Sequence, residues 1–243
     1  FIPLLYIPKV NFKYKSLTDG KNILYFNHLN RLYLYSRSLL YRYKKLLAEY
    51  CVYPNTELKI NKDDYIIDCG ANIGEFSIAF SLQYDVKKFI CFEPDPSEFK
   101  VLSKNISSKN CILINKALSN KNGLSDFYLD NTTGDSSLLI NENVKHTTIE
   151  TLTLDKFVSE AHIESIGFIK IEAEGFEPEI LEGALNTLNI IKYISIDCGF
   201  ERYGNSTFAQ VSDFLIKHEF HLLDFNSNRH SMLFCNKRIL SIK

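Results

Sequence analysis

Apolar residues follow two different periods along this chain of 243 residues. Between Asn27 and Tyr50 they recur at steps of three and four with basic residues between them, which predicts an amphipathic helix that Pro54 ends. The aromatic, basic and irregular stretch from Phe1 to Phe26 predicts an arm or a small edge hairpin. We therefore expect an N-terminal arm and helix over 1–60 and a second unit over 61–243.

From Asp64 onward, short β-branched or aromatic runs alternate with helical stretches, which is typical of successive βα units over a parallel sheet. Strands are predicted at Tyr65–Cys69, Phe89–Glu93, Ile112–Asn115, Phe168–Glu172 and Tyr193–Asp197. Helices are predicted at Ile73–Gln83, Pro96–Ser107, Pro178–Leu188 and Thr207–Lys217.

The βα alternation fails at two places, and both predict hairpins. Phe127–Leu129 and Thr147–Leu154 predict an inserted pair of strands, and His221–Phe225 with Ser231–Cys235 predicts an antiparallel hairpin at the sheet edge. The predicted fold is α/β: a mostly parallel sheet with a C-terminal antiparallel hairpin, preceded by an N-terminal helical segment.

Composition excludes several classes of protein. The six cysteines are scattered and lie mostly in apolar runs, which predicts buried, reduced thiols and neither a disulfide framework nor a zinc site. No apolar run approaches the length that spans a bilayer, and the first residues lack a basic flank and a cleavage site. We expect a cytoplasmic protein without a membrane span.

Charge is distributed unevenly along the chain. Residues 1–50 carry nine lysines and arginines against two acidic residues, whereas the remainder carries 19 against 27. This asymmetry allows an acidic partner, such as an RNA or an anionic glycan, for the N-terminal segment. Tyrosines and leucines at helical spacing more often form a packed face, so we favour packing on the chain's own domain or in a homo-oligomer, with no nucleic acid.

A turn of small residues follows the first predicted strand of the parallel sheet. Gly70 and Gly74 allow close approach of a ligand and lead into a helix N-terminus. The turn is one residue shorter than the dinucleotide pattern, and Asn72 replaces its middle glycine. Asp68 would repel a pyrophosphate but suits the ammonium of a methionine moiety. Asp68, Gly70, Ala71, Asn72 and Gly74 therefore predict a binding loop for S-adenosylmethionine.

The next strand ends in an acid, Glu93, followed by Pro94. A carboxylate at that place accepts both ribose hydroxyls through its two oxygens. Glu93 lies 25 residues after Asp68, about one βα unit on. The two features together favour a nucleoside cofactor, and Ala117, after the third strand, is expected to contact the adenine.

Several sequence blocks in order resemble the FkbM family of S-adenosylmethionine-dependent methyltransferases. The blocks are Asp68–Gly74, Phe92–Pro94, Thr151–Asp155 and Ile169–Gly175 with Leu181–Ala184. The resemblance covers roughly Asp64 to Ile196 and implies a Rossmann-like class I methyltransferase fold. It also implies methyl transfer, usually to oxygen, on acceptors such as sugars, glycans and polyketide-like products. The family usually has aspartate where this chain has Glu172.

Glu172 ends the fourth predicted strand and is expected to face the sulfonium. Methylating a hydroxyl requires removal of its proton, and Glu172 and Glu174 are the candidate bases. Alternatively, Glu172 orients the cofactor or Lys170, and Glu174 caps the following helix. Asp197 and Glu172 could together hold Mg²⁺. We do not favour this hypothesis, because two carboxylates are few protein ligands for a metal ion.

Other hypotheses stay open at this point. Gly134–Ser137 resembles a family loop near the acceptor but is equally typical of a solvated turn, and isolated histidines such as His28, His146 and His230 are more often structural than catalytic. An NAD(P)-dependent oxidoreductase, a non-catalytic binding module and an RNA or protein methyltransferase are the alternative functions. No Asn/Asp-Pro-Pro-aromatic tetrapeptide marks amino-group methylation, which favours a hydroxyl on a small molecule or glycan.

Overall fold

The computed structural model describes residues 8–106, 110–129, 136–139 and 145–241. Its strands are β1 (Lys9–Asn11), β2 (Ser16–Thr18), β3 (Ile23–Tyr25), β4 (Tyr65–Cys69), β5 (Lys88–Phe92), β6 (Cys111–Ile114), β7 (Ala117–Leu118), β8 (Gly123–Leu129), β9 (Lys145–Leu152), β10 (Ile166–Ile171), β11 (Ile191–Asp197), β12 (Phe220–Asn226) and β13 (Ser231–Asn236). Its α-helices are α1 (Leu39–Glu49), α2 (Glu75–Gln83), α3 (Pro96–Asn105), α4 (Leu154–Glu160), α5 (Glu177–Glu182), α6 (Phe208–Lys217) and α7 (Lys237–Leu240).

The central sheet has the strand order β12-β13-β11-β10-β4-β5-β6. The strands from β11 to β6 run parallel, and β13 and β12 form an antiparallel hairpin at the edge next to β11. All residues of β10 and β11 are buried, because helices cover both faces of a parallel sheet. The predicted strands of the parallel sheet and the C-terminal hairpin are therefore present, with small shifts at their ends.

The inserted strands form a separate sheet in the order β7-β9-β8, in which β8 and β9 make the predicted hairpin. The N-terminal stretch forms a third sheet from β1, β2 and β3, each antiparallel to its neighbour. This small sheet replaces the irregular arm that the sequence allowed as one alternative.

The continuous helix predicted from Asn27 to Tyr50 is wrong. The segment folds as a 3-10 helix over Leu29–Tyr35 followed by α1. Ser38 separates them: its backbone is extended, and its side chain accepts a hydrogen bond from the N–H of Tyr41 at the start of α1. An N-cap of this kind starts a new helix instead of continuing the previous one.

The helix predicted over Pro178–Leu188 is also shorter than expected. α5 ends before Gly183, and a 3-10 turn over Thr187–Ile190 follows. A Cβ on Gly183 would lie 2.1 Å from the carbonyl oxygen of Ser119, so this position needs a glycine for close packing. The helical spacing of apolar residues continues past Gly183 in the sequence. Only the contact of Gly183 with Ser119 shows where α5 ends.

The hydrophobic core extends across the boundary drawn at residue 60. Leu39, Tyr43 and Leu47 of α1 are buried in the same cluster as Phe76 and Phe80 of α2. The apolar face of α1 therefore packs on the chain's own α/β unit, as its spacing predicts. All six cysteines are free thiols, five of them buried, as predicted. In the described ranges no helix is long and apolar enough to cross a membrane.

A buried ion pair joins the start of β4 to β11. Asp64 accepts hydrogen bonds from Lys192 and Ser165, each at 2.6 Å, and from the N–H of Asn61 at 2.7 Å. Burial alone would raise the pKa of Asp64, but these partners lower it. Asp64→Asn is expected to lower the free energy of unfolding by about 1–3 kcal/mol, because Lys192 loses its buried partner. Urea denaturation measures the loss, with the exposed neighbour Asp63→Asn as control.

The lowered pKa of Asp64 determines how its contribution to stability changes with pH. The contribution of Asp64 is present at neutral pH and is lost as the pH falls through the folded-state pKa. The difference in unfolding free energy between wild type and Asp64→Asn should therefore shrink in acid. A difference that stayed constant down to strongly acidic pH would contradict this assignment.

Candidate active site

A cavity of about 740 Å³ lies at the carboxyl ends of β4, β5 and β10. Ligands of open α/β sheets bind at this edge. The loops after these strands form its floor, and residues of α1, the preceding 3-10 helix and the turn between β12 and β13 complete its walls. The cavity therefore draws on nearly the whole length of the chain.

The loop after β4 lines this cavity through Gly70, Ala71 and Asn72. The N–H groups of Gly70 and Ala71 donate to the carbonyl of Phe92 at 3.0 and 2.9 Å, which ties the loop to the end of β5. Gly70 has a φ of +74°, and a Cβ there would lie 2.0 Å from the carbonyl oxygen of Glu172. The loop thus depends on a glycine at Gly70 both for its backbone conformation and for its contact with Glu172.

Asp68 and Gly74, also predicted to bind the cofactor, do not line the cavity. The Asp68 carboxylate is fully buried beneath the loop, accepts from Ser77 at 2.8 Å and lies 3.2 Å from Nζ of Lys170. Gly74 precedes α2, and a Cβ there would lie 2.8 Å from side-chain atoms of Leu102 and Ile106. Both residues support the loop from below, which the strand-then-turn pattern could not distinguish from direct contact.

Glu93 lines the cavity, followed by Pro94 and Asp95. One Glu93 oxygen accepts from the N–H of Asn72 at 2.7 Å and the other from the N–H of Asp95 at 2.8 Å. Burial raises the pKa of Glu93 to about 8, because these two hydrogen bonds offset the loss of water only in part. The carboxylate is fixed, and each oxygen retains a lone pair for a further donor.

Ala117 lines the cavity beside Lys116 and Leu118, next to the end of β6. The contact between Ala117 and an adenine ring stays a prediction. Ser136 and Ser137 line the cavity from the insertion, whereas Gly134 and Asp135 lie outside the described residues.

Glu172 sits at the cavity just after β10, and three donors surround its carboxylate. Tyr50 donates its hydroxyl at 2.5 Å, Nζ of Lys170 lies 3.0 Å away, and Arg229 donates to the other oxygen. Burial alone would raise the pKa of Glu172, but the charges of Lys170 and Arg229 and the Tyr50 hydroxyl hold it well below its usual range. A carboxylate held so firmly in its ionised form is a weak base, which favours a fixed negative charge over proton transfer.

Glu174 also lines the cavity and has a left-handed φ of 51°. Its carbonyl accepts from the hydroxyl of Ser137 at 3.1 Å. The N-cap residue of α5 is Phe176, not Glu174, and its side chain makes no capping hydrogen bond. Glu174 therefore remains the candidate base of the two predicted acids.

Arg229 lies between the two carboxylates that the magnesium hypothesis required. Its guanidinium contacts Glu172 through one nitrogen and lies 3.0 Å from Asp197 through Nε. Burial, with a further contribution from Glu172, raises the pKa of Asp197 to about 7. Since Arg229 already supplies positive charge between these acids, the geometry does not favour Mg²⁺ there, and the described residues contain no cluster of three or more metal-binding side chains.

Tyr50 and Arg229 are the site residues that sequence reasoning missed. Both lie outside the stretch that carries the motifs, and neither spacing nor residue type links them to Glu172. The histidines are not part of the cavity wall: His28 pairs with Glu98 at 2.8 Å, whereas His146 and His230 contact aromatic rings.

Comparison with known proteins assigns the chain to a family. The model of the methyltransferase FkbM domain matches residues 68–222. The 2-O-methyltransferase NoeI of Sinorhizobium fredii is 28% identical over 168 residues, covering 58% of this chain and 69% of that protein. The hexuronic acid methyltransferase AglP of Haloferax volcanii is 25% identical over 138 residues, covering 56% of each.

A solved structure shows the same fold. The crystal structure of a methyltransferase FkbM from Methylobacillus flagellatus superposes with a TM-score of 0.52 at 15% identity, over 73% of this chain. This chain spans 44% of the length of that protein. The comparisons do not support the oxidoreductase or the binding-module alternative. With a family match over more than half of its length, the chain belongs to the FkbM methyltransferase domain family and is a methyltransferase of Rossmann-like class I fold.

Proposed function

We propose that this chain transfers a methyl group from S-adenosylmethionine to a hydroxyl oxygen of a sugar, glycan or small natural product. The observation that carries the proposal is the pairing of the Gly70 loop with Glu93 across one cavity. The loop supplies a close-approach surface, and Glu93 presents fixed carboxylate oxygens where a ribose would be recognised.

The residues present fit this cofactor. Gly70, Ala71 and Asn72 would hold its methionine portion, Glu93 its ribose hydroxyls, and Ala117 its adenine. When bound, S-adenosylmethionine supplies an electrophilic methyl group on a positively charged sulfur. Glu172, the ionised carboxylate at the β10 end of the cavity, is the residue suited to face that charge.

The acceptor would bind between α1, the β12–β13 turn and the loop after β10. The names of two relatives support oxygen as the methylated atom and a sugar as the acceptor class. The chain's own residues would bind the acceptor, exclude water and accept its proton, for which we propose Glu174. Cytoplasmic location, association of copies through the N-terminal helical segment and the absence of a nucleic-acid partner remain predictions.

The proposal is tested by calorimetric titration of the purified chain with S-adenosylhomocysteine, the demethylated product, beside an NADH control. For S-adenosylhomocysteine we expect a dissociation constant in the micromolar range, which corresponds to a binding free energy of about −8 kcal/mol. For NADH we expect no heat of binding. A folded chain that bound neither nucleotide would overturn the proposal. Binding would justify a screen of hydroxylated acceptors.

The raised pKa of Glu93 predicts that cofactor binding releases a proton. At neutral pH this carboxyl is mostly protonated, since its pKa is about 8, and ribose hydroxyls donate better to the ionised form. Titration of S-adenosylhomocysteine at pH 7 in buffers of different ionisation enthalpy should therefore report release of roughly one proton. Affinity should rise with pH and level off above the pKa of Glu93. Binding without proton release would contradict the assigned contact.

A further inference from the structure

The carboxylate of Glu172 is held by parts of the chain that the family match does not include. That match covers residues 68–222, whereas Tyr50 follows α1 and Arg229 lies in the turn between β12 and β13. Tyr50 donates to one oxygen of Glu172 and Arg229 to the other. Two segments that flank the matched domain thus converge on one side chain at the cavity.

Tyr50 is itself rigidly placed. Only 2% of it is exposed, its ring packs edge-on against Phe76 with centroids 5.4 Å apart, and Nζ of Lys170 lies 5.4 Å from the ring centre. Its carbonyl accepts from the hydroxyl of Ser195 at 2.8 Å. The position of the Tyr50 hydroxyl is therefore fixed by packing on both of its sides.

Arg229 is anchored through its own turn. The side-chain oxygen of Asn226 accepts from the N–H of Arg229 at 3.2 Å, while the side-chain amide of Asn226 donates to the carbonyl of Ala48 at 2.9 Å. The end of α1 and the β12–β13 turn are thereby joined directly. Tyr50 and Arg229 belong to one connected structure around Glu172.

A carboxylate has about four acceptor directions, and here Tyr50, Lys170 and Arg229 occupy three. The side chain is 21% exposed, so the remaining direction is open to the cavity. We propose that Tyr50 and Arg229 are positioning residues that fix the Glu172 carboxylate toward the cavity as the negative partner of the sulfonium of S-adenosylmethionine. This inference rests on the proposed function.

Loss of either Tyr50 or Arg229 as a donor should remove the negative charge of Glu172 from the cavity, and the two losses act by different mechanisms. Without the Tyr50 hydroxyl, the carboxylate turns toward Lys170 and Arg229 and away from the cavity. Without Arg229, Glu172 and Asp197 face each other with no cation between them, and such a pair shares a proton near neutral pH. Lys170 also contacts Asp68, so it cannot neutralise Glu172 alone.

The test compares two ligands that differ in one charge. S-adenosylmethionine has a positive sulfur and S-adenosylhomocysteine a neutral one, so the ratio of their dissociation constants reports the negative charge at the site. In Tyr50→Phe and Arg229→Gln we expect the preference for S-adenosylmethionine to fall about three- to tenfold, as for a weakened charge-assisted contact. Arg229→Lys should restore part of it.

Tyr43→Phe is the matched control, because Tyr43 is a buried tyrosine of α1 that does not line the cavity. A preference that stayed unchanged or increased in Tyr50→Phe and Arg229→Gln, with S-adenosylhomocysteine still bound, would overturn the inference and leave the proposed function standing. A wild-type chain that bound neither ligand would instead refute the proposed function.

Discussion

Glu93→Gln is expected to weaken the binding of S-adenosylhomocysteine by roughly 30- to 1000-fold, or about 2–4 kcal/mol, the range for lost hydrogen bonds to a charged group. The substitution keeps the size of the side chain but removes the charge. It also places an NH₂ group against the N–H of Asn72 or of Asp95, both of which donate to Glu93. Calorimetry above the pKa of Glu93, where the wild-type carboxylate is ionised, measures the full difference.

Glu98→Gln provides the matched control for Glu93. Glu98 is 1% exposed and pairs with His28, but it does not line the cavity. It should retain wild-type affinity, although the substitution alters its hydrogen bond with His28. Equal affinity of Glu93→Gln and wild type would show that Glu93 does not contact the ligand. Equal losses in both variants would instead attribute the effect to general destabilisation.

The sequence predicts the central sheet well because its signal is local. β4, β5, β10 and β11 are apolar runs bounded by turns, and a fully buried parallel strand requires such a run. Helix ends were predicted less well, since they depend on contacts between distant residues. Gly183 ends α5 where it packs against Ser119, and no periodicity in the sequence encodes that contact.

The same division separates the site residues that were predicted from those that were missed. Gly70 and Glu93 directly follow β4 and β5, and strand ends at one edge of a parallel sheet must meet, so their positions follow from the fold. Asp68 lies two residues before Gly70, inside β4, where Ser77 and Lys170 contact its fully buried carboxylate. The alignment of Asp68 with Lys170 on the neighbouring strand explains its burial.

Tyr50 and Arg229 reach Glu172 only through tertiary structure, across 122 and 57 residues of sequence. Their positions depend on how α1 and the β12–β13 turn pack on each other, and a single sequence carries no sign of that contact. The chemistry of Glu172 changes as a result. The sequence left Glu172 open as a base or as an orienting group, whereas the surrounding donors and cations favour a fixed anion.

Gly70→Ala is expected to abolish cofactor binding and to lower the free energy of unfolding by about 3–5 kcal/mol, through positive-φ strain together with overpacking. A Cβ would lie 2.0 Å from the carbonyl oxygen of Glu172, so backbone must move on one side or the other. Such a shift displaces either the loop proposed to contact the cofactor or Glu172, which is proposed to face the sulfonium. Urea denaturation and titration with S-adenosylhomocysteine measure the two effects.

Gly204→Ala is the control that separates the backbone strain at positive φ from the steric overlap of the added Cβ. Gly204 has a similar φ of +79°, but a Cβ there would meet nothing within 4 Å. It should therefore cost only about 1 kcal/mol, the penalty for an alanine at positive φ, and leave cofactor affinity unchanged. If Gly70→Ala were no more destabilising than Gly204→Ala and still bound S-adenosylhomocysteine normally, close packing of Gly70 against Glu172 would not be what shapes the site.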